Sequence, residues 1–165
     1  MLKSIAMGEA VGHPAKKPPR ALQYWLFPVA GEGAKSPRRV TKDLVLRHHV
    51  FAMRNVVHSR TKVESGDRIC FYVAGCVGVI ADARVASEPH PEDNPRITYA
   101  GMFPMVINLD EVRSHTPPIV VDFGLRERLD EFAGRSANPP WSWFVRTMHT
   151  VSQHDFNLLI GAPEA

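Results

Sequence analysis

The segment Ser65-Gly66-Asp67-Arg68-Ile69-Cys70-Phe71-Tyr72-Val73 and its continuation to Val85 constrain the fold most. A polar Gly-Asp turn launches an apolar run, Ala74-Gly75 supplies a tight turn, and a second run follows. In that second run Val77, Val79, Ala81, Ala83 and Val85 fall on one face, with Gly78, Ile80, Asp82 and Arg84 on the other. That period of two is the signature of a half-buried strand. The pair is expected to form a β-hairpin at the centre of a small barrel or strongly curved sheet.

The rest of the chain supplies short elements of both kinds. Residues 1–20 are rich in Lys, Pro, Gly and Ala without periodicity, and read as a disordered basic tail ahead of a single domain over residues 21–165. Leu22 to Phe27 reads as the first strand. Val40 to His48 reads as a short helix with Ser36 or Thr41 available as its cap. The stretch from Phe51 to Asn55 reads as irregular, and a further helical stretch is expected between Val56 and Val63. A polar loop with three prolines spans Ser87 to Thr98. Phe103 to Leu109 is expected to be a strand at an edge or a bulge because of Pro104, and Ile119-Val120-Val121 a separate short one. Gly124 to Phe132 reads as helical, as does a short turn near Trp141. Ser152, with Asp155 three residues on, announces a last helix that Gly161 stops. Strands interleaved with short helices make the fold class α+β.

Charge is unevenly distributed. Residues 1–68 hold 13 Lys/Arg against 5 Asp/Glu, a balance of +8, whereas residues 69–165 hold 7 against 12, a balance of −5. A basic first part suits phosphate contacts, the source of salt-dependent affinity in nucleic-acid binders, and equally suits a solvated basic tail. No apolar run approaches the roughly 18 residues that a bilayer span needs. The first residues lack the apolar core of a secretory signal, so a soluble, cytoplasmic protein without membrane contact is expected. Cys70 and Cys76 flank the hairpin turn, where a disulfide is conceivable but two reduced, packed thiols fit a cytosolic chain better.

Several further motifs lie around the hairpin: Tyr24-Trp25-Leu26-Phe27-Pro28, Phe51-Ala52-Met53-Arg54-Asn55, Ser87-Glu88-Pro89, Tyr99-Ala100-Gly101-Met102-Phe103-Pro104-Met105-Val106, and Val151-Ser152-Gln153-His154-Asp155-Phe156. In this order and spacing, from Leu22 to Ile160, the chain resembles the EVE family of PUA-like domains, related to the YTH and ASCH domains. The resemblance implies a PUA-like pseudo-barrel, a strongly curved mixed sheet flanked by short helices. It also implies a module that binds DNA or RNA and reads a modified nucleobase, such as methylated or hydroxymethylated cytosine or methylated adenine. Relatives are often fused to nucleases. No segment here reads as one, so cleavage would require a separate nuclease or other effector protein.

A base reader needs flat apolar walls, donors and acceptors for the base edge, and a dry niche for the added group. The resemblance assigns the base pocket to Phe27, Pro28 and Val29 at the end of the first strand, Phe51 and Ala52, and Tyr99; Arg54 and Asn55, which follow Phe51 directly, are candidates for a base edge or a phosphate, and Asn55 equally for a turn cap. Phe51 stands where the family usually carries tryptophan, which keeps a π-face but loses area and the indole donor. A cage of Phe51 and Tyr99 closed by Phe27 or Pro28 is the expectation. Taken singly, Phe51, Trp141 and Trp143 read more readily as packing residues. Arg38, Arg39, Lys42, Arg47, Arg60 and Lys62 are candidates for phosphate contacts.

Catalytic patterns are missing from the sequence. His48-His49 point different ways and have no ligand partners at metal spacing. There is no Gly-rich phosphate loop, no Gly-x-Ser-x-Gly elbow and no deaminase zinc signature. Glu92-Asp93 and Asp110-Glu111 read as surface acids. No catalytic residue, metal ligand or cofactor is therefore assigned, and a binding protein is expected rather than an enzyme. The remaining alternatives are a general nucleic-acid module without modification preference, and a binder of nucleosides or other small molecules.

Overall fold

The structure is a computed structural model and describes residues 20–29, 36–53, 62–76, 78–91, 105–133 and 141–163. Among the described residues seven strands succeed one another: β1 (Tyr24–Val29), β2 (Val50–Met53), β3 (Arg68–Val73), β4 (Gly78–Val85), β5 (His90–Pro91), β6 (Met105–Val120) and β7 (His149–Val151). Four short α-helices accompany them: α1 (Pro37–Thr41), which runs on into a wide π-helical turn over Lys42–Arg47, then α2 (Phe123–Arg128), α3 (Trp141–Phe144) and α4 (Gln153–Leu159). The strands form one sheet in the order β2-β6-β4-β3-β1-β7, with β5 beside β6. All pairs are antiparallel except β1 with β3, which run parallel. The result is a strongly curled, mixed half-barrel sheet with short helices, an α+β pseudo-barrel.

The expected hairpin forms, with Arg68 opposite Arg84 and Ile69 opposite Ala83. Its alternation does not survive intact. Register shifts interrupt the β3–β4 pairing between Phe71 and Tyr72, where Ile80 of β4 is extra, and the β4–β6 pairing between Val79 and Ala81 and between Asp82 and Arg84, where β6 carries the extra residues. Each irregularity bends a strand and steepens its twist, which is how an open sheet curls. They also move Ile80 into the same apolar cluster as Ala81 and Ala83. Apart from Arg84, β4 is buried throughout, because it sits mid-sheet with packing on both faces. Gly78 is required where β4 crosses closest to β6: a Cβ there would lie 2.6 Å from the Ile119 carbonyl oxygen.

Two apolar clusters divide the two faces. One gathers Trp25, Phe27, Val40, Leu44, Phe51, Ile69, Phe71 and Ile107, with Phe27, Phe51 and Phe71 in mutual ring contact. The other gathers Leu26, Cys70, Tyr72, Leu129, Phe144, Phe156 and Leu159 under α3 and α4. Alternation along β1 sends Trp25 and Phe27 to the first cluster and Leu26 to the second.

Asp67 fastens the parallel pair. Its carboxylate, 3% exposed, accepts the Trp25 indole N–H at 2.9 Å and the backbone N–H groups of Gln23 at 3.2 Å and Glu64 at 3.0 Å. Arg20 pairs with it and also reaches Glu64 at 2.9 Å. The Arg68 N–H donates to the Gln23 carbonyl at 3.0 Å, and the Val85 N–H to that of Asp67 at 2.8 Å. Arg20 therefore belongs to the folded unit rather than to the tail read from the sequence; residues 1–19 lie outside the described residues.

Other boundaries also differ from expectation. Val50 to Met53 is a strand, not irregular chain, because β6 supplies a partner from Asn108 to Met105. Ile119 and Val120 do not start a separate strand but end β6, a single strand of 16 residues whose pairing with β4 shifts register twice. The last helix is as expected: Ser152 accepts the Asp155 N–H at 3.0 Å, and Gly161 (φ +63°) terminates it. Replacing Asp67 by Ala strands several buried donors and is expected to lower unfolding stability by about 2–4 kcal/mol. Asp67→Asn, which keeps one acceptor oxygen, should lose less. Chemical denaturation with tryptophan fluorescence checks both, and equal loss in the two would show that the charge rather than the acceptor geometry matters.

Candidate nucleic-acid interface

Four of the six basic residues singled out from the sequence, Arg38, Arg39, Lys42 and Arg47, lie on one element. Ser36 caps α1 by accepting the Arg39 N–H, and Pro37 occupies the first turn, where its missing N–H leaves no donor unpaired. Val40, Leu44 and Val45 turn inward to the first cluster. The alternate face exposes Arg38, Arg39, Lys42 and Arg47. Arg39, Lys42, Asp43 and Arg47 line one shallow surface depression. Arg47 and Asp43 approach to 3.8 Å, too long for a hydrogen bond. In the wide turn the His48 N–H donates to the Asp43 carbonyl, five residues back. His49 then adopts a left-handed backbone (φ +53°) and delivers the chain into β2. Lys62 is exposed ahead of β3, away from this helix in sequence. Arg54, Asn55, Arg60 and Tyr99 lie outside the described residues.

Of the aromatic residues in the expected cage, Phe51 and Phe27 are described, and they pack on each other. Phe51 is 8% exposed and Phe27 fully buried, their ring centroids 5.2 Å apart at 51°. A base sandwiched between two rings needs two stacking gaps, roughly 7 Å from wall to wall at about 3.5 Å each. Phe27 and Phe51 instead pack on each other and on Phe71, so they do not form opposite walls of one slot. Nor do Phe27 and Pro28 share a face, since adjacent strand residues point to opposite sides. Val29 and Ala52 are buried, 7% and 6% exposed. The five described pocket candidates thus lie together at β1 and β2, with side chains committed to packing apart from the partly accessible Pro28.

A second polar assembly escaped the sequence reading. Asp82, fully buried in β4, accepts from Arg113 at 2.8 and 3.1 Å and lies 2.9 Å from His115 Nε2 and 3.4 Å from Arg68. Arg68 also reaches Glu111 at 2.6 Å, while Arg84 grips Asp110 with two bonds of 2.8 Å and lies 3.3 Å from Glu111. That pairing holds the Asp110 carboxyl below its usual range, chiefly through the Arg84 hydrogen bond. Glu111 takes a left-handed backbone (φ +46°) at the β6 irregularity, a strained position held by its two arginine partners. Three guanidinium groups face three carboxylates across β3, β4 and β6, so the array is balanced and reads as a cross-strand lock. The signal available in the sequence was Asp82 and Arg84 at i and i+2 of a strand; their partners on β6 were invisible without the register.

Cys70, Trp141 and the group Asp130, His154 and Asp155 are each engaged within the fold. Cys70 is a free, buried thiol, its pKa pushed far up by burial and by the nearby Asp82 charge, which keeps it protonated and unreactive. Trp141 donates its indole N–H to the Tyr72 hydroxyl at 3.0 Å, under an Arg126 guanidinium 4.5 Å above its ring. Asp130, His154 and Asp155 bring ligand-type atoms within 4.8 Å of one another. Each carboxylate oxygen there already has a protein partner: Ser152 and His154 for Asp130, and the Asp130 and Glu131 N–H groups for Asp155. The cluster joins the cap of α4 to the turn after α2.

No family model matches the chain, and no curated protein matches it. Solved structures share its architecture. A protein from Rhodopseudomonas palustris aligns with TM-score 0.52 at 15% identity, over 86% of this chain and 92% of that one. A hypothetical protein from Leishmania major gives 0.52 at 13%, over 86% and 94%. One from Pseudomonas putida gives 0.51 at 15%, over 84% and 98%. At such identities the likeness shows the fold alone. Among the described residues, no helix is long and apolar enough to cross a membrane.

Two outcomes follow for this region. Phe51→Ala opens a void among three rings and should cost about 3–5 kcal/mol of stability; a thermal melt matching wild type would place the ring outside the core. Burial, foremost, raises the Asp155 carboxyl above its ordinary 3.8, against the hydrogen bonds from the Asp130 and Glu131 backbone. The folded state therefore holds that proton more tightly than the unfolded chain. The group's contribution is fully present below about 3.8 and is lost as pH rises through the raised value. Asp155→Asn should flatten that fall in a stability-versus-pH profile; an unchanged profile would assign the pH dependence elsewhere.

Proposed function

We propose that this chain is a nucleic-acid-binding module of the EVE type that reads a modified nucleobase, cytosine or adenine carrying a methyl or hydroxymethyl group, in DNA or RNA. The observation that carries the reading is the convergence of Arg39, Lys42 and Arg47 on one depression of the element that leads directly into β2 and Phe51. Cations beside an aromatic strand provide the two contributions such a module needs. Phosphate contacts give affinity and position the strand, and stacking holds the base. Extruding a base costs a few kcal/mol and stacking returns about 1–3 kcal/mol per base, so more than one wall is required. Phe27 and Phe51 present at most one such wall, since they pack on each other. Tyr99 is the natural second. The chain binds rather than cleaves, and any cutting belongs to a partner nuclease.

The same ring packing favours one further reading, a general module that grips the nucleic-acid backbone without preference for modification. Fluorescence polarisation separates the two with matched short oligonucleotides, plain or carrying methylcytosine, hydroxymethylcytosine or methyladenine, as DNA and as RNA. Base reading predicts a preference of about tenfold, about 1.4 kcal/mol, that Tyr99→Ala abolishes while binding to plain oligonucleotide persists. Equal, salt-sensitive binding to every probe would replace it by the general module. Absence of binding to any of them rejects both.

A further inference from the structure

The π-helical turn decides which cations act together. In a regular α-helix, positions 39, 43 and 47 follow one another at i and i+4 along one face, while Lys42 and Arg47, five apart, diverge. The turn over Lys42–Arg47 is wider, marked by the bond from His48 N–H to the Asp43 carbonyl five residues back. Widening the turn brings i and i+5 toward one another, and Lys42 and Arg47 accordingly border the same depression as Arg39. Such single wide turns recur at functional sites, where they re-aim side chains. Arg38, equally exposed, does not line the depression.

We propose that Arg39, Lys42 and Arg47 form a phosphate-binding site, and that Asp43, placed among them, holds its affinity down. For the identity of the polyanion this rests on the nucleic-acid reading above; the phosphate chemistry is common to a nucleic-acid backbone and a free oligophosphate. Guanidinium groups match phosphate oxygens with paired donors, and a lysine adds a compact point charge. Asp43 lies 3.8 Å from the 77% exposed Arg47 side chain. At that separation it lowers the local potential without closing the guanidinium's donors. The restraint leaves a smaller share of the affinity to the backbone and a larger share to the base.

The test measures binding of a plain single-stranded oligonucleotide against salt, and of inorganic tripolyphosphate, to wild type and variants. Arg39→Ala, Lys42→Ala and Arg47→Ala should each weaken oligonucleotide binding and reduce the slope of log K against log salt by about 0.7. Asp43→Asn should tighten binding about threefold at low salt, the size of an exposed charge interaction. Arg146→Ala, a cation elsewhere on the surface, should change neither the slope nor the affinity beyond a general charge effect. All these side chains are exposed or half-buried, and matching thermal melts confirm folding. If wild type binds oligonucleotide and the three alanine variants behave like Arg146→Ala, the site is wrong and the functional reading survives. If Asp43→Asn leaves affinity unchanged or weaker, the restraining role is overturned. Tripolyphosphate binding that depends on Lys42, with no binding of any oligonucleotide, plain or modified, would uphold the site and reject the nucleic-acid reading. Binding of neither rejects both.

Discussion

The structure depends first on the buried carboxylate of Asp67. β1 and β3 are parallel, so no tight turn fixes their register, and a slip of one residue would exchange the faces of every side chain. Asp67 removes that freedom. It collects the Trp25 indole, two backbone amides and Arg20, and thereby ties the start of β1 to the start of β3. With that register set, Trp25 and Phe27 face one cluster and Leu26 the other. The remaining strands add by antiparallel pairing.

Curvature follows from irregularity rather than from regular twist alone. The register shifts in the β3–β4 and β4–β6 pairings each bend the chain locally, and the close crossing at Gly78 admits no side chain. The Asp82 array crosses the same strands, and its arginines hold Glu111 in an unfavourable backbone conformation. The buried charge is tolerated because it is paired from three directions; removal of one partner would leave it uncompensated. This array is the polar counterpart of the aromatic packing on the opposite face.

The exposed basic element rests on the first apolar cluster. α1 and its wide turn lie over the first cluster through Val40, Leu44 and Val45, which leaves their cationic side toward solvent. The same cluster absorbs Phe27 and Phe51, so the residues that resemble a base cage also serve the core. Of the five described pocket candidates, Pro28 alone keeps a partly accessible side chain.

The sequence by itself determined the local elements whose cause is local. The hairpin from Arg68 to Val85, the Ser36 and Ser152 caps and the Gly161 stop all depend on residues within a few positions of one another. The helical reading of Val40 to His48 held for the same reason, and so did the α+β class. Tertiary structure decided what depends on distant partners. Val50 to Met53 became a strand because β6 paired with it, and β6 became one strand because β4 lay beside it. Asp82 became the centre of an ion network through residues some thirty positions away. Phe51 became a core residue because Phe27 and Phe71, from two other strands, closed on it. Hydrogen bonding and packing across strands carry no signature in a single segment, since the same residues would suit a different neighbour equally well.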